Sequence, residues 1–173
     1  MRQSAAYLFD RLRPKRSRRC RPLLAHAVKV ERLAPARPYR LRISIDVLPG
    51  MNTPSSRANR FVQDKITQEW RMLIVSIVGP HRPPEPLLRA RARFVRHSSV
   101  QPDKAQLGVS FKPIEDALTR SRMNTSKKKP RWISRADVLF DDHPQYLDSD
   151  YVWERAPRGA GFITIEIDEL ETG

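Results

Sequence analysis

Two adjacent aspartates, Asp141 and Asp142, close an apolar run in the stretch FDDHPQYLD, residues 140 to 148. Neighbouring carboxylates repel each other, and beside a core they need a cation or a hydrogen-bond donor to offset them. A metal ion is one such cation, and a turn at a strand end is the simpler arrangement. Asp103 and Asp116 complete the acidic set in which chemistry is to be sought. The commoner sources of chemistry are missing, since there is no glycine-rich phosphate loop, no GxSxG and no HExxH. His26, His81, His97 and His143 are scattered as surface residues are. The single cysteine, Cys20, excludes a disulfide framework and a cysteine zinc site, and points to a reducing compartment.

Charge sets the surroundings of these acids. The chain has 173 residues and a net charge of +14. From Asp137 to Gly173 ten acids face only Arg155 and Arg158, a net of −8, so residues 1 to 136 carry +22. A basic body with an acidic C-terminal third suits a protein that grips polyphosphate and keeps carboxylates for another purpose. Eight lysines and arginines fall within residues 1 to 21 against Asp10 alone, so residues 1–38 are expected to be a basic, disordered arm. The same composition fits an organelle transit peptide. No apolar stretch approaches the roughly 20 residues of a membrane span.

Residues 39–173 are expected to form one domain. Leu41, Ile43, Ile45 and Val47 alternate with polar residues as in a half-buried strand that ends at Pro49-Gly50. Ile66, Trp70, Leu73 and Ile77 have helical spacing, and Gly79-Pro80 stops that helix. In LLRARARFVRH (87 to 97), Leu88, Ala90, Ala92 and Phe94 take one strand face, while Arg89, Arg91 and Arg93 take the other. A second helix is expected to start near Phe111, with Pro113 in its first turn. Strands are expected at 136 to 140, 145 to 154 and 161 to 168, the last two joined as a hairpin by RAPRG. The order gives an α+β fold with a mixed sheet, β-α-β-α-β-β-β, both helices packed on one sheet face.

FKPIEDALT followed by VLFDDHPQYLD resembles the RusA family of Holliday junction resolvases, which carry a DxDN motif, an LxKPxxDAL helix and a strand ending in DD. Lys112, Pro113, Asp116, Ala117 and Leu118 match the helix, and Asp141, Asp142 and Gln145 match the strand end. VLPGMNTPSSRANRF is similar to the family's early proline-rich loop, so the resemblance spans about residues 39 to 168. The DxDN motif departs from the pattern. Without gaps its acids fall on Gln106 and Gly108; with a short insertion QPDK takes its place, which keeps Asp103 and is the alignment adopted.

The resemblance implies a homodimeric, Mg²⁺-dependent endodeoxyribonuclease that binds and resolves four-way DNA junctions. Asp103 and Asp142 would be the metal ligands, Asp141 a second carboxylate, and Lys112 a stabiliser of charge developing on the phosphate. Arg89, Arg91, Arg93 and Arg96, with Lys127, Lys128 and Lys129, are the candidates for contacting DNA phosphates. A cytoplasmic protein, bacterial or phage-encoded, is implied. Two alternatives stay open: a RusA-fold protein that binds DNA without cutting it, and a basic RNA-binding or ribosome-associated protein.

Overall fold

The structure is a computed structural model that describes residues 28–34, 38–46, 60–125 and 130–171. In chain order its elements are β1 (Val28–Ala34), β2 (Arg40–Ile45), α1 (Arg60–Val78), β3 (Ala90–Ser98), α2 (Lys104–Leu118), β4 (Arg122–Asn124), β5 (Arg131–Ile133), β6 (Leu147–Arg155) and β7 (Phe162–Glu169). Two helices pack on a mixed five-stranded sheet, an α+β fold. Most of the proposed arm, residues 47–59 and Lys127–Lys129 lie outside the described residues. Among the described residues no helix is long and apolar enough to cross a membrane.

The sheet order is β1-β2-β7-β3-β6, with β3 and β6 parallel and the other pairs antiparallel. One face is apolar because each strand alternates. Leu41, Ile43 and Ile45 of β2, Ala90, Ala92 and Phe94 of β3, and Ile163, Ile165 and Ile167 of β7 are buried against Trp70, Leu73 and Ile74 of α1 and Phe111, Ile114 and Leu118 of α2. Phe94, Phe111 and Tyr151 group at the centre, with ring centroids 5.3 to 6.2 Å apart.

The opposite face holds charged rows. Glu31, Arg42, Glu166, Arg93 and Asp150 stand opposite one another across all five strands, and Arg40, Asp168, Arg91 and Asp148 form a second row. Ion pairs join Arg40 to Asp168 at 3.2 Å, Arg42 to Glu166 at 3.5 Å and Arg91 to Asp148 at 2.9 Å. Cross-strand pairs of opposite sign favour this register, and like charges would oppose it. The acidity of the C-terminal third thus has a structural cause: β6 and β7 carry the counter-charges of β2 and β3.

Five expectations from sequence are corrected. The sheet begins at Val28, inside the segment assigned to the arm, because Val28 and Val30 alternate with Lys29 and Glu31 and pair with β2. Residues 136 to 140 form no regular strand. Asp137 has φ +56°, a left-handed conformation that extended chain cannot contain, and its carboxylate accepts hydrogen bonds from the Ser121 backbone N–H (2.6 Å) and hydroxyl (3.1 Å). Only Leu139 bridges to neighbours, Leu87 and Thr119. Nor are β6 and β7 a hairpin, since β3 lies between them and Ala156 N–H donates to Ser98 O (3.1 Å) where the connection crosses β3. Finally, α2 starts at Lys104 instead of near Phe111, so Pro113 lies inside the helix and forgoes a bond to the Val109 carbonyl. Leu88, placed on the buried strand face by its spacing, precedes β3 and is exposed.

Candidate functional site

Lys112, Glu115 and Asp116 share one side of α2 through their i, i+3 and i+4 spacing. Residues 140 to 142 reach that side because Phe140 N–H donates to Leu87 O (3.0 Å) and Leu139 N–H to Leu118 O (3.0 Å). The Lys112 ammonium is the meeting point. Its Nζ lies 3.2 Å from Glu115 Oε2 and 3.4 Å from Asp116 Oδ1, and it hydrogen-bonds Asp142 Oδ2. Asp141 stands behind, its Oδ1 accepting the Asp142 backbone N–H at 2.7 Å. Glu115 is buried, and its other oxygen accepts from Ser149 Oγ (2.7 Å) and Tyr151 Oη (3.1 Å) on β6.

The electrostatics follow from three carboxylates around one ammonium. Burial pulls the Lys112 pKa down, but the Asp142 hydrogen bond and the charges of Glu115, Asp116 and Asp142 together hold it well above the ordinary lysine value. Burial would raise Asp142, yet bonding to Lys112 and Asp141 holds it well below the usual carboxylate range. Asp116 goes the other way: burial, reinforced by the charge of Asp142, raises it despite Lys112. Burial and the Glu115 charge push Tyr151 up to about 12, which keeps its hydroxyl a donor. An open groove of about 970 Å³ runs past Lys104, Gly108, Lys112, Asp142, Ser149 and Tyr151.

The structure brings together Lys112, Asp141 and Asp142, but not Asp103. Asp103 is the N-cap of α2, its Oδ1 accepting from Ala105 N–H at 3.3 Å. Nine residues of helix put it about 13 Å before Lys112 along the axis, so it does not join Asp142 in one ion-sized shell. Asp103→Ala is therefore expected to cost about 1 kcal/mol of stability, the usual value of a cap. A urea melt that shifts by that much, with DNA binding unaltered, separates a cap from a ligand. The positions that an ungapped alignment gives to the acids, Gln106 and Gly108, lie in the first turns of α2; Gly108 lines the groove, with the Tyr151 ring 3.8 Å from where its Cβ would be.

The residues as arranged do not fit Mg²⁺. Among the described residues no three Asp, Glu, His or Cys side chains gather as an ion would require. Where Glu115, Asp116 and Asp142 do converge, the Lys112 ammonium fills the place of the cation.

The proposed phosphate track also changes. Arg91 is paired with Asp148, and Arg93 with Asp150 (3.9 Å) and Glu154 (3.5 Å). Arg96 is buried, which lowers its pKa. Arg89 is exposed beside the groove and makes no ion pair among the described residues. Sequence reasoning missed Glu115, Ser149 and Tyr151. The Lys112-x-x-Glu115 spacing signals the first, whereas the other two depend on β6 lying beside β3, which no local pattern encodes.

A scan against protein-family models and a search of curated proteins found no match for this chain.

Proposed function

We propose that this chain is a RusA-like protein that binds branched DNA and holds it without cutting. One observation carries the reading: the two motifs of the resemblance, on α2 and at Asp141-Asp142, meet in space around Lys112, and the lysine occupies the position a metal would need. The cluster then acts as a polar lock that fixes the 140–142 segment to α2 beside the groove. Charge supplies the attraction for DNA. The described residues carry 20 lysines and arginines against 18 acids, a net of +2, so +12 of the total +14 lies outside them. Phosphate contact is thus assigned mainly to those outer segments, Lys127, Lys128 and Lys129 included. Two copies related by a twofold axis would match the symmetry of a four-way junction, and the setting proposed is the cytoplasm, with the chain bacterial or phage-encoded.

A second reading is a Mg²⁺-dependent endodeoxyribonuclease that resolves such junctions. The surplus of carboxylates over lysine in the cluster favours it. One experiment separates the two: a labelled four-way junction is incubated with wild type and Asp142→Asn, with and without Mg²⁺. Binding without nicks under every condition is the expected result. Symmetric nicks that need both Mg²⁺ and Asp142 would establish the nuclease instead. Equal affinity for junction, duplex and structured RNA would leave a general RNA or ribosome binder, the third alternative.

A further inference from the structure

Beyond the sheet, β4 and β5 form a two-stranded ribbon whose register places Met123 opposite Trp132, Arg122 opposite Ile133 and Asn124 opposite Arg131. Side chains alternate across a ribbon, so Met123 and Trp132 share one face. Both are exposed, at 50 % and 58 %. The other tryptophans are engaged: Trp70 is buried in the core, and Trp153 donates its indole N–H to Ser98 Oγ at 3.1 Å. Trp132 also borders a groove of about 690 Å³ between the ribbon and α1, whose walls include Arg71 and Arg131.

The cations here differ from those on the sheet. Arg40, Arg42, Arg91 and Arg93 each face a carboxylate. Arg71, Arg122 and Arg131 make no ion pair among the described residues. Asp64 also lines this groove, without pairing to these arginines; a flat aromatic surface next to unpaired arginines is complementary to a nucleotide, which offers a planar base and a negative phosphate in the same repeat. Along a duplex the base faces are covered by their stacked neighbours, so the occupant that offers a base face in every repeat has unpaired ones.

We propose that the β4–β5 ribbon is a base-stacking platform for single-stranded DNA, in which Trp132, backed by Met123, stacks on an unpaired base while Arg71 and Arg131, which wall the same groove, hold flanking phosphates. The proposal rests on the DNA-binding reading and adds to it where unpaired DNA would sit. It also makes the ribbon a selector between unpaired and paired strands.

The test is the affinity of the full chain for labelled oligothymidine and for a labelled blunt duplex of equal length, comparing wild type, Trp132→Ala and Trp132→Phe. Loss of one stacked base is expected to weaken oligothymidine binding about ten- to a hundredfold in Trp132→Ala. Duplex binding should stay as in wild type, and Trp132→Phe should recover most of the loss. Oligothymidine should also quench tryptophan emission in wild type and not in Trp132→Ala. If Trp132→Ala binds oligothymidine as wild type does, or loses both ligands equally, the stacking platform is wrong while DNA binding stands. If wild type binds neither ligand, the DNA-binding reading fails and the platform fails with it.

Discussion

Lys112→Met is expected to lower unfolding free energy at pH 7 by about 2–4 kcal/mol, because it leaves buried Glu115 and its neighbours Asp116 and Asp142 without their shared cation. The side chain of Lys112 is 48 % exposed, so solvent screens part of the interaction and the figure falls below that of a fully buried pair. The pH dependence distinguishes charge from packing. In wild type, Asp142 has a lowered pKa, so its contribution is fully present above the ordinary carboxylate value and is lost as pH falls through the lower folded one. Asp116, with a raised pKa, has the opposite sign: its ionised form costs stability near neutrality, and that cost disappears in acid. Without Lys112 both carboxyls are governed by burial and mutual repulsion, offset only in part by the charge of Arg135, so the deficit of the variant should shrink between pH 7 and pH 4. Urea denaturation of both proteins across that window measures it; a deficit that does not change with pH would assign the effect to the lysine stem.

Phe111→Ala is expected to cost about 3–5 kcal/mol, the range for removing a buried aromatic ring. Phe111 is fully buried, with ring centroids 5.4 Å from Phe94 and 6.2 Å from Tyr151. The cavity would open between α2 and the centre of the sheet, under the helix that carries Lys112. Phe111→Leu should cost less, since it refills part of the volume. Thermal unfolding of the two variants gives the order directly, and equal losses would mean that the aromatic cluster, more than its volume, holds α2 in place.

Local periodicity made β2, α1, β3 and the two last strands legible, because each needs only its own alternation of apolar and polar residues. Long-range placement was not legible in the same way. The hairpin reading of RAPRG failed because a short connection can join strands that are adjacent or, as at Ala156, pass over the end of a third. The start of α2 was misread because Pro113 was given the helix's first turn, when the cap was Asp103, ten residues earlier. That error carried into the site: a residue taken for a ligand is a cap. For the same reason Arg91 and Arg93 looked like free cations until β6 supplied Asp148 and Asp150, nearly sixty residues away in sequence. The contact of Lys112 with Asp142, thirty residues apart, likewise depends on long-range placement that no local pattern encodes.

The position of β7 has a consequence for how the molecule comes into being. β2 and β3 are formed from early sequence, yet they share no pairing with each other; β7 joins them, with six residue pairs to β2 and eight to β3. During synthesis, therefore, the chain holds two incomplete sheets, β1-β2 and β3-β6, each with an apolar face and an open edge, until residue 169 has left the ribosome. For that interval the polar rows are half-assembled too, with Arg42 and Arg93 awaiting Glu166. A nascent polypeptide in this state is a natural client for chaperones, and termination between Arg155 and Phe162 would release two sticky halves in place of a smaller version of the same fold.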